Sequence, residues 1–237
     1  VLSAGPGSGV VIDTGPDPAS VDRCLSDLGV DRVPLVLITH LHADHVDGLP
    51  GVLAGRAVGA VQVGPLDDPE QQRADLDEQA GAAGVPVERA RLGEQRTVGD
   101  LRWTVVAPGR SYRGTNSDPN NSSLVLRLST ADTTVLLTGD VEPEAQRDLL
   151  SSGVDLRADV LKVPHHGSDH QEPAFLDAVG AAVALTSVGA DNTYGHPSAD
   201  TLGRLAAGGA RSLRTDLDGD IALVRRGGRL VVVARSD

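Results

Sequence analysis

His40, His42, Asp44 and His45 fall within six consecutive positions of the stretch ITHLHADHVDGLP, residues 38–50. Imidazole and carboxylate groups at this spacing are the groups that bind divalent metal ions. In an extended segment alternate side chains share a face, so His40, His42 and Asp44 can point the same way, with His45 turned aside as a helix begins. Four ligands this close are hard to wrap around one tetrahedral ion. They fit two neighbouring ions, with His40 and His42 on one and Asp44 and His45 on the other. Ions about 3.5–4 Å apart repel each other, so a shared anionic ligand is needed. The bland alternative, a solvated polar loop, does not account for three of the seven histidines crowding here.

The missing parts stand where apolar runs end. TTVLLTGD closes on Asp140, the candidate bridge, and DVLKVPHHGS runs into His165 and His166. GVVIDTGPDP places Asp13 after another apolar run, and NTYGHPS carries His196. Taken alone, Asp13 also reads as part of a turn with Gly15 and Pro16, and His196 as a loop residue before Pro197. His170 is expected at the surface.

Such a cluster needs strand ends brought to one edge of a sheet, and the pattern supplies them. Strands are expected over 9–13, 34–40, 57–64, 122–129, 133–140, 159–164 and 181–188, with short β segments over 87–108. Helices are expected over 18–29, 44–55, 67–83, 142–152, 172–179 and 198–207. Residues 109–121 read as a loop. Residues 219–234 read as a hairpin turning at Gly227-Gly228. The start, VLSAGPGSGVVID, reads as the second half of a hairpin whose partner lies upstream or is unseen. With no methionine anywhere, the chain is expected to be a piece of a longer protein. Cys24, in a helical pattern, is expected as a small core residue. Two groups of strands with helices between and after them predict two sheets faced by helices, in one domain over 1–237.

IDTGPDP, THLHADHVDGL, NNSSLVLRL, LLTGD, LKVPHHGS and YGHPS together resemble the metallo-β-lactamase superfamily. More narrowly, they resemble the C-terminal metallo-β-lactamase-like domain of the ComEC DNA-uptake (competence) proteins. The resemblance runs from about residue 9 to 200. It implies an α/β fold, the αββα four-layer sandwich, with the site at one edge of the two sheets. Carried over by motif, it implies His40 and His42 on the first metal, Asp44 and His45 on the second, and Asp140 bridging. His166, with His165 as the other choice, would complete the second metal. Asp13 would orient a ligand imidazole. The chain departs from much of the superfamily in having DPNNSS where another histidine often precedes the strand SSLVLRL. Asn121, Ser122, water or substrate oxygen would take that position. A His/Asp/water set suits Mn or Zn, so two divalent ions of either kind are expected.

The first function implied is DNA phosphodiester hydrolysis, degrading the strand that is not imported. Asp44 and Asp140 would serve the reaction through the metals, and His196 would meet the leaving group or a phosphate oxygen. Lys162, Tyr194 and the loop residues Arg110, Tyr112 and Arg113 are candidates for substrate contact. A net charge of −12 argues against a broad basic surface, and 2% aromatic residues argue against a base-stacking platform, so little sequence preference on single-stranded DNA is expected. The second is hydrolysis of a small phosphodiester, lactam or lactone. The third is a non-catalytic, metal-stabilised docking module. The longest apolar runs are short strands, so no membrane span is expected. The resemblance places the domain on a cytoplasmic-membrane protein, outside the cytoplasm and beside the other domains of a DNA-uptake channel.

Overall fold

The computed structural model describes residues 1–130 and 132–235. Two compact units divide the chain, Val1–Leu124 and Val125–Asp237.

In the first unit the strands Leu2–Ser3, Gly9–Ile12, Val36–Ile38, Val61–Val63 and Val87–Arg89 lie side by side in that order. Leu2–Ser3 runs antiparallel to Gly9–Ile12, and the other pairs are parallel. The partner of the opening hairpin is therefore Leu2–Ser3 itself, which is too short to show as a pattern. Parallel strands covered on both faces read as continuous apolar runs. Val36, Leu37 and Ile38 are accordingly all fully buried. Burying each such side chain contributes about 1.5–3 kcal/mol. Leu25, Leu49, Val52 and Leu76 from the helices pack into the same core as Val11, Ile38 and Val61.

Helix Pro18–Asp27 starts where Asp17 accepts hydrogen bonds from the Ala19 and Ser20 amides, with Pro18 in its first turn. Its Cys24 is only partly buried, not a full core residue, because the helix buries just Leu25. The single helix expected over 44–55 is two, Ala43–Val46 and Leu49–Leu53. The run 57–64 likewise splits. Ala57–Val58 pairs with Arg32–Val33, and only Val61–Val63 joins the main sheet. Gln95–Val98 and Leu101–Ala107 form an antiparallel pair, and the expected loop 109–121 ends in a helical turn, Asp118–Asn121.

In the second unit the strands Val125–Ser129, Thr134–Leu137, Val160–Lys162, Val183–Thr186 and Arg211–Arg214 are neighbours in that order. The first pair is antiparallel, and each later strand is parallel to its predecessor. Helices Pro143–Ser151, Pro173–Val179 and Ala199–Ala207 make the crossovers that parallel pairing requires. Arg211–Arg214 was not foreseen, since only Leu213 in it is buried. The hairpin Asp220–Arg226/Arg229–Arg235 turns at Gly227-Gly228 as expected, and lays Ile221, Leu223, Leu230 and Val232 against Val160, Val183 and Leu213.

Candidate metal centre

Asp13 follows the strand Gly9–Ile12, and Thr39 and His40 follow its parallel neighbour Val36–Ile38. Both lie at the carboxyl edge of the sheet, where open α/β sheets place their sites. Asp13 has φ +54°, a left-handed conformation that Asp tolerates better than most residues and that costs about 1–3 kcal/mol. The strained turn aims its carboxylate at the next strand end. Oδ1 accepts the Thr39 amide at 2.7 Å, and Oδ2 accepts the Thr39 hydroxyl at 2.9 Å and lies 2.8 Å from His45 Nδ1.

These bonds decide the tautomers. A carboxylate only accepts, so His45 Nδ1 carries the hydrogen and the Nε2 of the neutral ring carries a lone pair. The Thr39 hydroxyl is spent on Asp13, so its oxygen accepts from His40 Nδ1 at 3.2 Å, which puts the lone pair of the neutral His40 ring on Nε2. That Nε2 lies 3.0 Å from His42 Nδ1. At that distance one ring N–H donates to the other ring, and both nitrogens stand within reach of one ion. Asp44 Oδ2 lies 3.6 Å from His45 Nε2, and its side chain is half exposed.

The glycines of HVDGLPG fix this arrangement. A Cβ on Gly48 would come within 2.2 Å of the Thr14 carbonyl oxygen, and one on Gly51 within 2.0 Å of that of Pro18. The loop after Asp13 therefore lies directly on the backbone after His45. The Thr14 amide donates to the His45 carbonyl at 2.7 Å and the Gly48 amide to that of Gly15 at 2.7 Å.

The second unit builds its group differently. Asp140, His165 and His166, and Ser187 follow three adjacent parallel strands, Thr134–Leu137, Val160–Lys162 and Val183–Thr186. His165 and His166 both have positive φ, +47° and +51°, and Gly167 continues the left-handed run at +77°. A Cβ on Gly167 would meet that of Pro197 at 2.6 Å, so glycine is needed for space as well as conformation. His166 Nδ1 donates to the Ser187 carbonyl at 2.6 Å, and its Nε2 lies 3.0 Å from Asp140 Oδ2. With Nδ1 committed, a lone pair on Nε2 would repel the carboxylate. A proton or a metal ion belongs between them. Asp140 Oδ1 is 3.3 Å from Lys162 Nζ.

His165 Nδ1 stands 3.5 Å from Glu142 Oε1, and its ring is 5.5 Å from that of His196. Burial holds the pKa of both His165 and His196 below the usual imidazole range. Tyr194 is 84% exposed and stacks on His196 at 6.2 Å. Asn121 and Ser122 are both buried, with the Asn121 amide bonded to the Ser117 carbonyl at 3.2 Å. Tyr112 is not an exposed contact residue. It is buried with Arg110 over its ring at 4.3 Å, because an aromatic body in this loop is worth more in the core than in water. Arg113 is exposed, as is His170. Sequence reasoning missed one group. Donor atoms of Glu142, Glu144 and His170 lie within 4.8 Å of one another. Only the spacing of Glu142 and Glu144 around Pro143 hinted at it.

A family model described as the metallo-beta-lactamase superfamily matches residues 1–185. The chain belongs to that superfamily. The motif resemblance to the superfamily is thus correct, and so is its narrower form. The chain is 30% identical over 200 residues to ComE operon protein 3 of Bacillus subtilis (strain 168), covering 83% of this chain and 25% of the relative. It is 29% identical over 226 residues to Competence protein ComA of Neisseria gonorrhoeae, covering 92% of this chain and 30% of the relative. The chain thus spans less than a third of the length of these two relatives. Among solved structures, Zn(2+)-bound PqqB from Methylobacterium extorquens matches at TM-score 0.54 and 12% identity, covering 90% of this chain and 82% of its own. YhfI from Bacillus subtilis matches at 0.52 and 12%, covering 86% and 82%. The metallo-β-lactamase fold, mixed α/β with two sheets, is as expected. Its His and Asp residues form a candidate metal site. Among the described residues no helix is long and apolar enough to cross a membrane.

Proposed function

We propose that this metallo-β-lactamase domain is a metal-dependent phosphodiesterase that cleaves DNA and degrades the non-imported strand during DNA uptake. In this reading the whole chain, 1–237, works as one domain of a longer membrane protein. It lies outside the cytoplasm beside the other domains of an uptake channel. His40 and His42 would hold one divalent ion, and Asp44, His45 and His166 the other, with Asp140 as the shared ligand. When bound, Mn or Zn ions supply Lewis acidity, easing the ionisation of water and neutralising phosphate charge.

The observation that carries the reading is the committed Nδ1 of His40, His45 and His166. Each ring is held by that bond so that Nε2 is the nitrogen that would meet a metal, which is how ligand imidazoles are prepared. Asp13 orients His45 and, through Thr39, His40. His196, kept neutral near pH 7 by burial, donates an N–H to a phosphate or leaving oxygen rather than giving up a full proton. Tyr194 and Arg113, both exposed, would contact the strand without sequence preference. Likeness to competence proteins supports DNA as the substrate.

A net charge of −12 favours a second reading, a small phosphodiester or lactone as substrate. Incubation of end-labelled single-stranded DNA with the protein and Mn²⁺, Zn²⁺ or chelator separates the readings. Metal-dependent loss of label, abolished by Asp44→Ala and by His40→Ala, is the expected result. Turnover of bis-p-nitrophenyl phosphate without DNA cleavage would transfer the assignment to the small substrate. Metal binding without turnover of either would leave a docking module.

A further inference from the structure

Lys162 is the one lysine in a chain with twenty arginines. The surroundings of its side chain suit an ammonium. The Lys162 stem is largely buried, with 17% of the side chain exposed. Its ammonium faces three oxygens, the Gly139 carbonyl at 3.1 Å, Asp140 Oδ1 at 3.3 Å and the Val163 carbonyl at 3.4 Å. An ammonium has three N–H donors splayed around one nitrogen, one for each of these acceptors. A guanidinium is a planar fork about two bonds wider, suited to a flat bidentate partner rather than to three oxygens around a point.

The strand that carries Lys162 is itself tied to the Asp140 turn. The Thr138 hydroxyl donates to the Lys162 carbonyl at 2.7 Å, and Val135 and Leu136 pair with Val160 and Leu161. The ammonium therefore stands at a fixed distance from a carboxylate that is itself buried, 4% exposed. The two oxygens of Asp140 are divided. Oδ1 meets Lys162, and Oδ2 meets His166 Nε2 at 3.0 Å.

We propose that Lys162 is a positioning residue, which holds Asp140 by Oδ1 so that Oδ2 is presented beside His166 Nε2 to a metal ion. It does not contact the substrate, because its three donors are directed at Gly139, Asp140 and Val163. The proposal rests on the metal-centre reading above, and not on DNA being the substrate. An anion held between a fixed cation and a metal site keeps one orientation. Freed of the cation, it would rotate and lose its alignment with His166. Outer partners of this kind typically govern metal affinity or activity by about 10–100-fold.

The test is metal binding by the whole chain, measured by calorimetric titration of Mn²⁺ and of Zn²⁺ into metal-free wild type, Lys162→Met and Lys162→Arg. Circular dichroism first establishes that each variant is folded. Should Lys162→Met, which leaves Asp140 without its cation, fail to fold, Lys162→Arg, which keeps the charge, carries the test. The expected result is binding about 10–100-fold weaker in both variants, with kcat lowered and KM unchanged on whichever phosphodiester the wild type cleaves. Arginine is expected not to rescue. Wild-type metal affinity with a raised KM would overturn the proposal in favour of a substrate contact, as would full rescue by Lys162→Arg. Wild type that binds metal but cleaves no DNA would sink only the nuclease reading. Wild type that binds neither ion would overturn both.

Discussion

The two units prepare imidazoles by opposite means. In the first, four candidate ligands come from one run, His40 to His45, and a single side chain, Asp13, orients His45 directly and His40 through Thr39. In the second, the corresponding residues come from the ends of three strands, and the bond that orients His166 is made by the Ser187 main chain. The first depends on a side chain and is open to a single substitution. The second depends on a backbone carbonyl and on two consecutive left-handed histidines, so its geometry belongs to the fold. Both use strained backbone at the end of a parallel strand, one residue in the first unit and two non-glycine residues in the second.

The largest effect is expected at the proposed bridging carboxylate. Asp140→Ala removes the proposed bridge, and a loss of several kcal/mol of transition-state stabilisation corresponds to about 10³-fold in kcat/KM. Steady-state phosphodiesterase assays check it, with chelator-treated wild type giving the same floor. The next result bears on the first unit's weak point. Asp13→Asn keeps a residue that tolerates φ +54° but replaces an acceptor-only group facing His45 and Thr39. Metal affinity about 10–100-fold lower is expected, read by competition with a chromogenic chelator.

Gly48→Ala tests packing rather than ligation. Its methyl would stand 2.2 Å from the Thr14 carbonyl oxygen, and a cost of about 1–3 kcal/mol is expected in urea unfolding. A smaller effect concerns pH. His196 has a pKa held below the usual imidazole range, first by burial and then by His166 nearby. With the folded value below the unfolded value of about 6.5, its contribution is complete above that pH and is lost as pH falls through the folded value. Metal-free protein is therefore expected to melt at lower temperature as pH drops from about 7 to about 5, and less so in His196→Asn, as thermal denaturation would show. The smallest effect is the sharpest statement of the contrast. Ser187→Ala leaves the carbonyl that holds His166 in place, and stability within about 0.5 kcal/mol of wild type is expected, with unchanged metal affinity by titration. A marked loss there would mean that the second unit, too, relies on a side chain.

Legibility in the sequence followed the range of the interaction. Fully buried parallel strands such as Val36–Ile38 were visible because burial on both faces demands an unbroken apolar run. Arg32–Val33 and Arg211–Arg214 were not, since a single buried residue in each leaves no period to detect. The helix expected over 44–55 breaks at Asp47 and Gly48, because the loop after Asp13 lies against Gly48 and no local propensity encodes that contact. Tyr112 looked available in a polar loop, and burial of its ring was decided by neighbours distant in the chain.

What the sequence by itself determined is the chemistry on offer. The alternation of His40, His42 and Asp44, and the carboxylate or imidazole after each apolar run, announced candidate metal ligands at strand ends, because side-chain direction in extended backbone is a local property. Only the tertiary structure decided which nitrogen of each ring is committed to a hydrogen bond that orients it. That choice rests on His45 with Asp13, 32 positions apart, and on His166 with Ser187, 21 apart. The same is true of Lys162, whose three acceptors include the distant Gly139 and Asp140. Hydrogen-bond partners so far apart in the chain meet only when strands pair, and a single sequence carries no periodic trace of that meeting.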